Sequence, residues 1–125
     1  MRIYRTEMDG VAVLRISGVV RREDALMLLQ SIGQSPASVR GSFILDFQGV
    51  EHVDYHVFVL FEEWFSSSPG VVMSGLSDYL LDIFAFVQRR NAIPIYPDWR
   101  KALNYLVVQR ARLGEPLIAG MTAGS

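Results

Sequence analysis

The stretch LDFQGVEHVDYHVF, Leu45–Phe58, decides how this chain folds. It joins two apolar runs of different kinds. The first, SFILDF, is nearly continuous and ends around Asp46. Such a run suits a strand buried on both faces, as in a parallel sheet covered by helices. The second, VFVLFEEWF, is β-branched at its start but carries Glu62 and Glu63, which do not belong inside a buried strand. Val57, Leu60, Phe61 and Trp64 fall on one helical face, so the spacing predicts a helix from Val57 to Phe65. Gln48 to Asp54 then reads as the loop between strand and helix, with an aspartate at each end and Tyr55-His56 after it.

The same reading extends in both directions. MRIYR and VAVLRIS are strand-like and flank Asp9-Gly10, a two-residue hairpin signal, so they pair antiparallel. Gly18 breaks the second pattern. REDALMLLQSI carries Leu26, Leu29 and Ile32 at three-residue steps beside Ala25 and Leu28, with Glu23 and Asp24 in the first turn. That predicts a helix over 22–32 with Gly33 as its stop. GQSPASVRG is a loop, and SSSPG ends the helix at Phe65. VVMSG is a short buried strand. In LSDYLLDIFAFVQRR, Leu80, Ile83, Phe84 and Val87 share a face, Ser77 is an N-cap, and Arg89-Arg90 lie at the C-terminal end. AIPIYP suits an edge strand, where Pro94 and Pro97 are tolerated. Asp98 caps a last helix with Ala102, Leu103, Leu106 and Val107 on one side. The order is β-β-α-β-α-β-α-β-α. This is an α/β domain with a mainly parallel sheet of about five strands, an opening hairpin and about four flanking helices. Residues 1–113 form one domain, and 114–125, small and Gly-rich, form a flexible tail.

Composition excludes several functions. The chain has 125 residues, half of them hydrophobic, enough for one core. A net charge of −1 gives no reason to expect nucleic acid or an acidic membrane as partner. Of its 12 basic residues only Lys101 is lysine, which reads as compositional bias. With no Cys, disulfides, thiolate metal sites and cysteine nucleophiles are ruled out. MRIYRTEMDG lacks a signal-peptide core, and no apolar run reaches the roughly 18–20 residues that span a bilayer. A cytoplasmic protein with no direct membrane insertion is expected.

Four segments, taken in order, resemble the STAS domain, the sulfate-transporter and anti-sigma-factor-antagonist family. VAVLRISGVVRREDALMLLQSI is similar to its strand, glycine turn and first helix. FILDFQGVEHVDY resembles its strand, Asp, short loop and second Asp. VVMSGLSDYLLDIFAFV resembles its strand, Gly turn and helix, and IPIYPDWRKAL its closing segment. The resemblance covers about Val11 to Leu106 and implies a non-enzymatic module that docks a partner protein. In that family the second Asp is commonly followed by Ser, Ser or Thr, then Gly, and a partner kinase phosphorylates the first of these. Here Tyr55, His56 and Val57 stand at those positions. A kinase site built for a short hydroxyl does not readily accept a phenol, so serine phosphorylation is not expected.

The resemblance implies a partner surface built from Asp46, Gln48, Glu51, His52, Asp54, Tyr55 and His56, with Ser74, Gly75 and Ser77 completing the rim. Asp46 and Asp54 would shape the loop and present charge, while Tyr55 and His56 would touch the partner. Binding sites gather at the carboxyl ends of parallel strands, consistent with all ten. The implied partner is an anti-sigma factor of the kinase type, in transcription-regulating bacterial signalling, or the ATPase of a lipid-transport ABC assembly. A small-molecule or lipid-binding module is the third reading, and a homodimer is compatible with any of them.

Other chemistries have weaker support. Asp46 and Asp54 as an acid–base pair lack a substrate pocket in the pattern, and strand-end aspartates commonly cap helices; Asp54 suits the amides of the second helix. His52, Asp54 and His56 as a metal site lack a second ligand cluster, so neither metal nor cofactor is expected. SGVV and MSGLS form no phosphate-binding fingerprint. Arg21-Arg22 and Arg89-Arg90 are short surface pairs. Phe58, Phe61, Trp64, Phe65, Phe84 and Phe86 are expected in the core, at least in part. Six aromatics on two helices can also leave an exposed stripe, which would mark an interface.

Overall fold

Strand β1 (Arg2–Met8) and strand β2 (Val11–Val20) form the opening hairpin. Asp9 and Gly10 both take positive φ, 53° and 78°, and place Met8 opposite Val11. That is the two-residue turn whose twist matches the strands it joins. The chain continues through α1 (Arg22–Gly33), β3 (Ser42–Val53), α2 (Tyr55–Phe65), β4 (Val71–Ser74), α3 (Asp78–Val87), β5 (Ile95–Tyr96) and α4 (Trp99–Leu113). These elements come from a computed structural model that describes residues 1–33, 42–65, 70–88 and 93–113. The QSPASVRG part of the expected loop, the SSSP end of the second helix, Arg89-Arg90 and the 114–125 segment lie outside the described residues. The sheet order is β1-β2-β3-β4-β5, parallel except for the first pair. The α/β class, the hairpin, the five strands and the four helices are those the sequence predicts.

Both faces of the sheet are covered, and the alternation in β2 shows how. Ala12, Leu14 and Ile16 join the larger core with Ala25, Leu28, Phe58, Phe61, Leu80 and Phe84, from α1, α2 and α3. Val11 and Val13 face the other way, and with Ile44 and Val72 they pack on Ala102 and Leu106 of α4. One helix thus covers one face and three cover the other. Among the described residues no helix is long and apolar enough to cross a membrane.

Several element boundaries differ from expectation, and β1 and β2 run on to Met8 and Val20. The segment Gln48–Val53 is strand, not loop: β3 runs for 12 residues and pairs with β2 up to Val20–Val53. Between Arg15–Asp46 and Val20–Val53 the pairing shifts twice, and β3 carries the extra residues. Such bulges bend a strand and re-aim its side chains. They put Phe47, Val50 and Val53, three residues apart, into the same core. Gly18 lies at the second shift with φ of 87°, inside β2 and not at its end. The second helix begins at Tyr55, two residues before Val57.

The helix faces are largely those expected, with two corrections. Leu26 is exposed beside Met27, and Ala25, Leu28 and Ile32 carry the buried face of α1. Phe86 is 80% exposed, while Phe84 is buried. Capping follows the sequence in α3 and α4. Ser77 Oγ accepts from the Leu80 N–H at 3.2 Å, and Asp98 Oδ1 accepts from Lys101 N–H at 2.8 Å. Ser77→Ala removes one such acceptor and will cost about 1 kcal/mol, read from a urea melt.

Candidate functional site

The parallel strands end together at one edge of the molecule, and the residues singled out in the sequence gather there as two separate groups. The first group is a row across the whole sheet. Tyr4 pairs with Arg15, Arg15 with Asp46, Asp46 with Ser74, and Ser74 with Tyr96. Each of Arg15, Asp46 and Ser74 lies two residues beyond a residue that packs on α4 (Val13, Ile44, Val72), so the row is on the α4 face. Asp46 is 2% exposed. Its Oδ1 accepts from Ser74 Oγ at 2.9 Å, and Arg15 Nε stands 3.8 Å from Oδ2. Gly75, φ 70°, turns the chain beside this carboxylate, and its N–H donates to the Tyr96 carbonyl at 3.1 Å. Burial raises the Tyr96 phenol to about 12, with Tyr105 adding to the shift, so it stays neutral at physiological pH.

The burial of Asp46 and Ser74 corrects one expectation. Neither side chain presents itself to a partner; they tie β3 to β4 and hold the Gly75 turn. Burial pushes the Asp46 carboxyl above its ordinary value of 3.8. The Ser74 hydrogen bond, the Arg15 charge and the Gln48 amide pull it back, and the Asp98 charge adds to the rise. A carboxyl raised in the folded state stabilises the fold most below its unfolded pKa. That contribution is lost as pH rises through the raised value. Asp46→Asn stays neutral throughout. Its stability relative to wild type will therefore increase from acid towards neutral pH and then level off, as urea midpoints at successive pH values will show. An asparagine variant that is weaker at neutral pH than in acid would mean that the Arg15 pair outweighs the burial cost.

The second group faces solvent on the side of α2 and α3. His52 Nδ1 and the Tyr79 hydroxyl are 2.6 Å apart, a hydrogen bond whose donor depends on the imidazole tautomer. His52 Nε2 lies 3.4 Å from Asp54 Oδ1. His52 therefore links the end of β3 to the start of α3 and to the residue before α2. The Asp54 main chain is also engaged: its N–H donates to the Val20 carbonyl, and its carbonyl accepts from the Val57 N–H. The first turn of α2 is thus closed by the Asp54 carbonyl, where the sequence suggested its carboxylate. Tyr55 and His56 follow at the helix start, both exposed, with ring centroids 4.0 Å apart. Gln48 and Glu51 are exposed on β3, and Ser77 is an exposed cap.

Beside this corner a groove of about 700 Å³ runs between α2 and α3. Tyr55 and Val59 line one wall, and Tyr79, Asp82, Ile83, Phe86 and Val87 the other. Its lining is apolar but for Asp82 and the two phenols. Tyr55 is 54% and Tyr79 52% exposed, and with Phe86 they make an aromatic rim. The sequence flagged an exposed aromatic stripe as an alternative to a fully buried set but did not single out Tyr79, Asp82 or Arg15. Their signal was weak: Tyr79 and Phe86 are seven residues apart, two helical turns, on the flank of the buried Leu80–Phe84 face. Among the described residues no group of three or more His, Cys, Asp or Glu side chains could hold a metal ion.

An antiparallel hairpin leading into a parallel sheet, with three helices on one face and one on the other, is the STAS fold, that of the anti-sigma-factor antagonists. Solved structures share it. A Thermotoga maritima protein assigned as an anti-sigma factor antagonist aligns with a TM-score of 0.68 at 16% identity, over 83% of this chain and 93% of its own. An RsbS variant from Moorella thermoacetica aligns with a TM-score of 0.65 at 17% identity, over 90% and 99%. A sulfate transporter family protein from Wolinella succinogenes aligns with a TM-score of 0.60 at 22% identity, over 82% and 89%. No protein-family profile and no curated protein sequence matches the chain. At these identities the likeness is one of fold.

Proposed function

We propose that this chain is a non-enzymatic STAS-type interaction module that docks a partner protein through the corner where β3 meets α2 and through the adjoining α2–α3 groove. The observation that carries the reading is the aromatic rim. Tyr55, Tyr79 and Phe86 surround an apolar groove, and all three are half exposed or more. Tyrosine and other aromatics supply large contact area at low entropic cost and dominate the centres of interfaces. Gln48, Glu51, His52 and His56 form the polar surround, and Asp54 orients His52. Asp46, Ser74, Gly75 and Ser77 hold the strand ends and the α3 start in place beneath it.

The fold supports a partner class. Proteins that share it are named as anti-sigma-factor antagonists, so an anti-sigma factor of the kinase type is the first candidate, in the cytoplasm of a bacterium. Tyr55 at the position of the phosphorylatable serine favours a constitutive contact over a phosphorylation switch. This opens a second reading, a small STAS subunit bound permanently to the ATPase of a lipid-transport assembly. Residues 1–113 act as one domain in either case.

The test is capture from native lysate, with wild type beside a Tyr55→Ala/His56→Ala variant, with and without ATP. One protein held by wild type and lost by the variant supports the docking corner. Release on adding ATP identifies a switch partner; retention of a nucleotide-binding protein identifies the assembly. Equal capture by both forms, or none, overturns the reading.

A further inference from the structure

The two edges of the sheet are built differently. β5 is two residues long and is flanked by Pro94 and Pro97, which cannot donate to a further strand. β1 is seven residues long, contains no proline, and pairs with β2 in unbroken register. Proteins normally protect a long regular edge by bulges, prolines, cover or charged side chains, and of these β1 carries only charges, of both signs, at Arg2, Arg5 and Glu7. Among the described residues no strand lies outside β1, and every β1 residue except Ile3 is exposed. Tyr4, Thr6 and Met8 point to the α4 face, since they pair with Arg15, Val13 and Val11. Tyr4 is 65% exposed, and α4 packs on β2, β3 and β4 residues instead. Ile3, Arg5 and Glu7 point to the opposite face, where Arg5 pairs with Glu7 at 3.0 Å.

We propose that β1 is a homodimer interface, in which two copies pair their β1 edges antiparallel about a dyad at Thr6 and join their sheets into one of ten strands. The register follows from elementary constraints. In an antiparallel pair a residue exchanges both backbone hydrogen bonds with the residue opposite, or neither. Alternate β1 residues point these groups outward, so outward residues must meet outward residues, and a two-fold axis must pass through a residue paired with itself. An axis at Arg5 sets Arg5 against Arg5, and one at Glu7 sets Glu7 against Glu7; like charges directly opposite are destabilising. An axis at Tyr4 leaves Glu7 and Met8 unpaired. An axis at Thr6 sets Arg5 against Glu7 of the second copy, twice by symmetry, and Tyr4 against Met8 of the second copy, twice. The two ion pairs then share one face with the existing Arg5–Glu7 contacts in an alternating group of four charges. The other face gathers two tyrosines and two methionines around the threonines. This self-complementarity selects a second copy as the occupant of the edge. The dimer leaves the α2–α3 groove open, because β1 and the groove belong to different elements.

The full chain tests this by sedimentation equilibrium. Wild type will dimerise, and Arg5→Glu will weaken the dimer about tenfold or more, because two attractive contacts become repulsive. Glu7→Arg alone will do the same. Mixing the two variants will restore a dimer, now a heterodimer, since each supplies the charge the other lacks. The chain has no cysteine, so Thr6→Cys is a clean second probe. It will oxidise to a covalent dimer faster than a cysteine at the exposed Met27 of α1. Circular dichroism checks that each variant is folded. A monomeric wild type overturns the proposal. So does a dimer indifferent to Arg5→Glu, or a Thr6→Cys chain that cross-links no faster than the Met27 control.

Discussion

Gly75→Ala will destabilise the domain by about 3 kcal/mol, the sum of a left-handed backbone penalty and an overpacking penalty. Gly75 has φ of 70°, where a side chain is strained whatever space surrounds it. Here there is no space either. A Cβ would sit 2.7 Å from Asp46 Oδ1 and 3.0 Å from the Gln48 amide nitrogen. Asp46 is short, buried and held by Ser74, so it cannot swing aside without losing that hydrogen bond. Gly18→Ala is the internal control. Gly18 has φ of 87°, but its nearest atom to a new Cβ is Met1 Cα at 3.8 Å. It incurs the backbone strain without the clash and will cost about 1–2 kcal/mol. Urea unfolding of both, followed by fluorescence of Trp64 and Trp99, gives the difference that belongs to the Asp46 contact. Equal costs would mean that the β4–α3 turn does not depend on its closeness to that carboxylate.

Gly75 and Asp46 illustrate what was legible in the sequence. The apolar runs, the Asp9-Gly10 turn and the caps Ser77 and Asp98 are local signals, and the element order followed from them. What the sequence could not show is set by pairing between distant segments. Gln48–Val53 reads as loop because the apolar Phe47, Val50 and Val53 recur at three-residue steps, not the alternation of a strand, over a stretch too short for a helix. They become a strand only because β2 pairs with them and the extra residues are absorbed in bulges. The start of α2 was misplaced by two residues because its apolar face begins only at Val57, while Tyr55 and His56 are exposed. Asp46 and Asp54 look alike in the sequence. One is buried under the α4 face and the other lies beside an exposed histidine, and only the sheet separates them. The candidate residues were accordingly placed together at the carboxyl ends of the strands and drawn as one rim. They form a buried positioning row and an exposed aromatic corner.

The aromatic corner makes its own prediction, through two phenylalanines two residues apart. Phe84 is 2% exposed and packs edge-to-face on Phe58 with ring centroids 5.2 Å apart. Phe84→Ala leaves a cavity between α2 and α3 and will cost about 3–5 kcal/mol of stability. Phe86 is 80% exposed on the groove wall and contributes little to the core. Phe86→Ala will leave stability within about 0.5 kcal/mol of wild type, as surface substitutions do. An apolar ring held in water at the rim of an apolar groove is costly to keep unless something covers it. If the groove is the docking surface, Phe86 sits where an interface anchor would, and truncating such an anchor costs about 2 kcal/mol or more, roughly 30-fold in affinity. Titration calorimetry with the captured partner measures the second quantity and urea unfolding the first. A Phe86→Ala chain that is as stable as wild type and binds as tightly would remove the groove from the interface and leave Tyr55 and His56 to carry it alone. A loss of affinity with no loss of stability would place the partner across the α2–α3 groove.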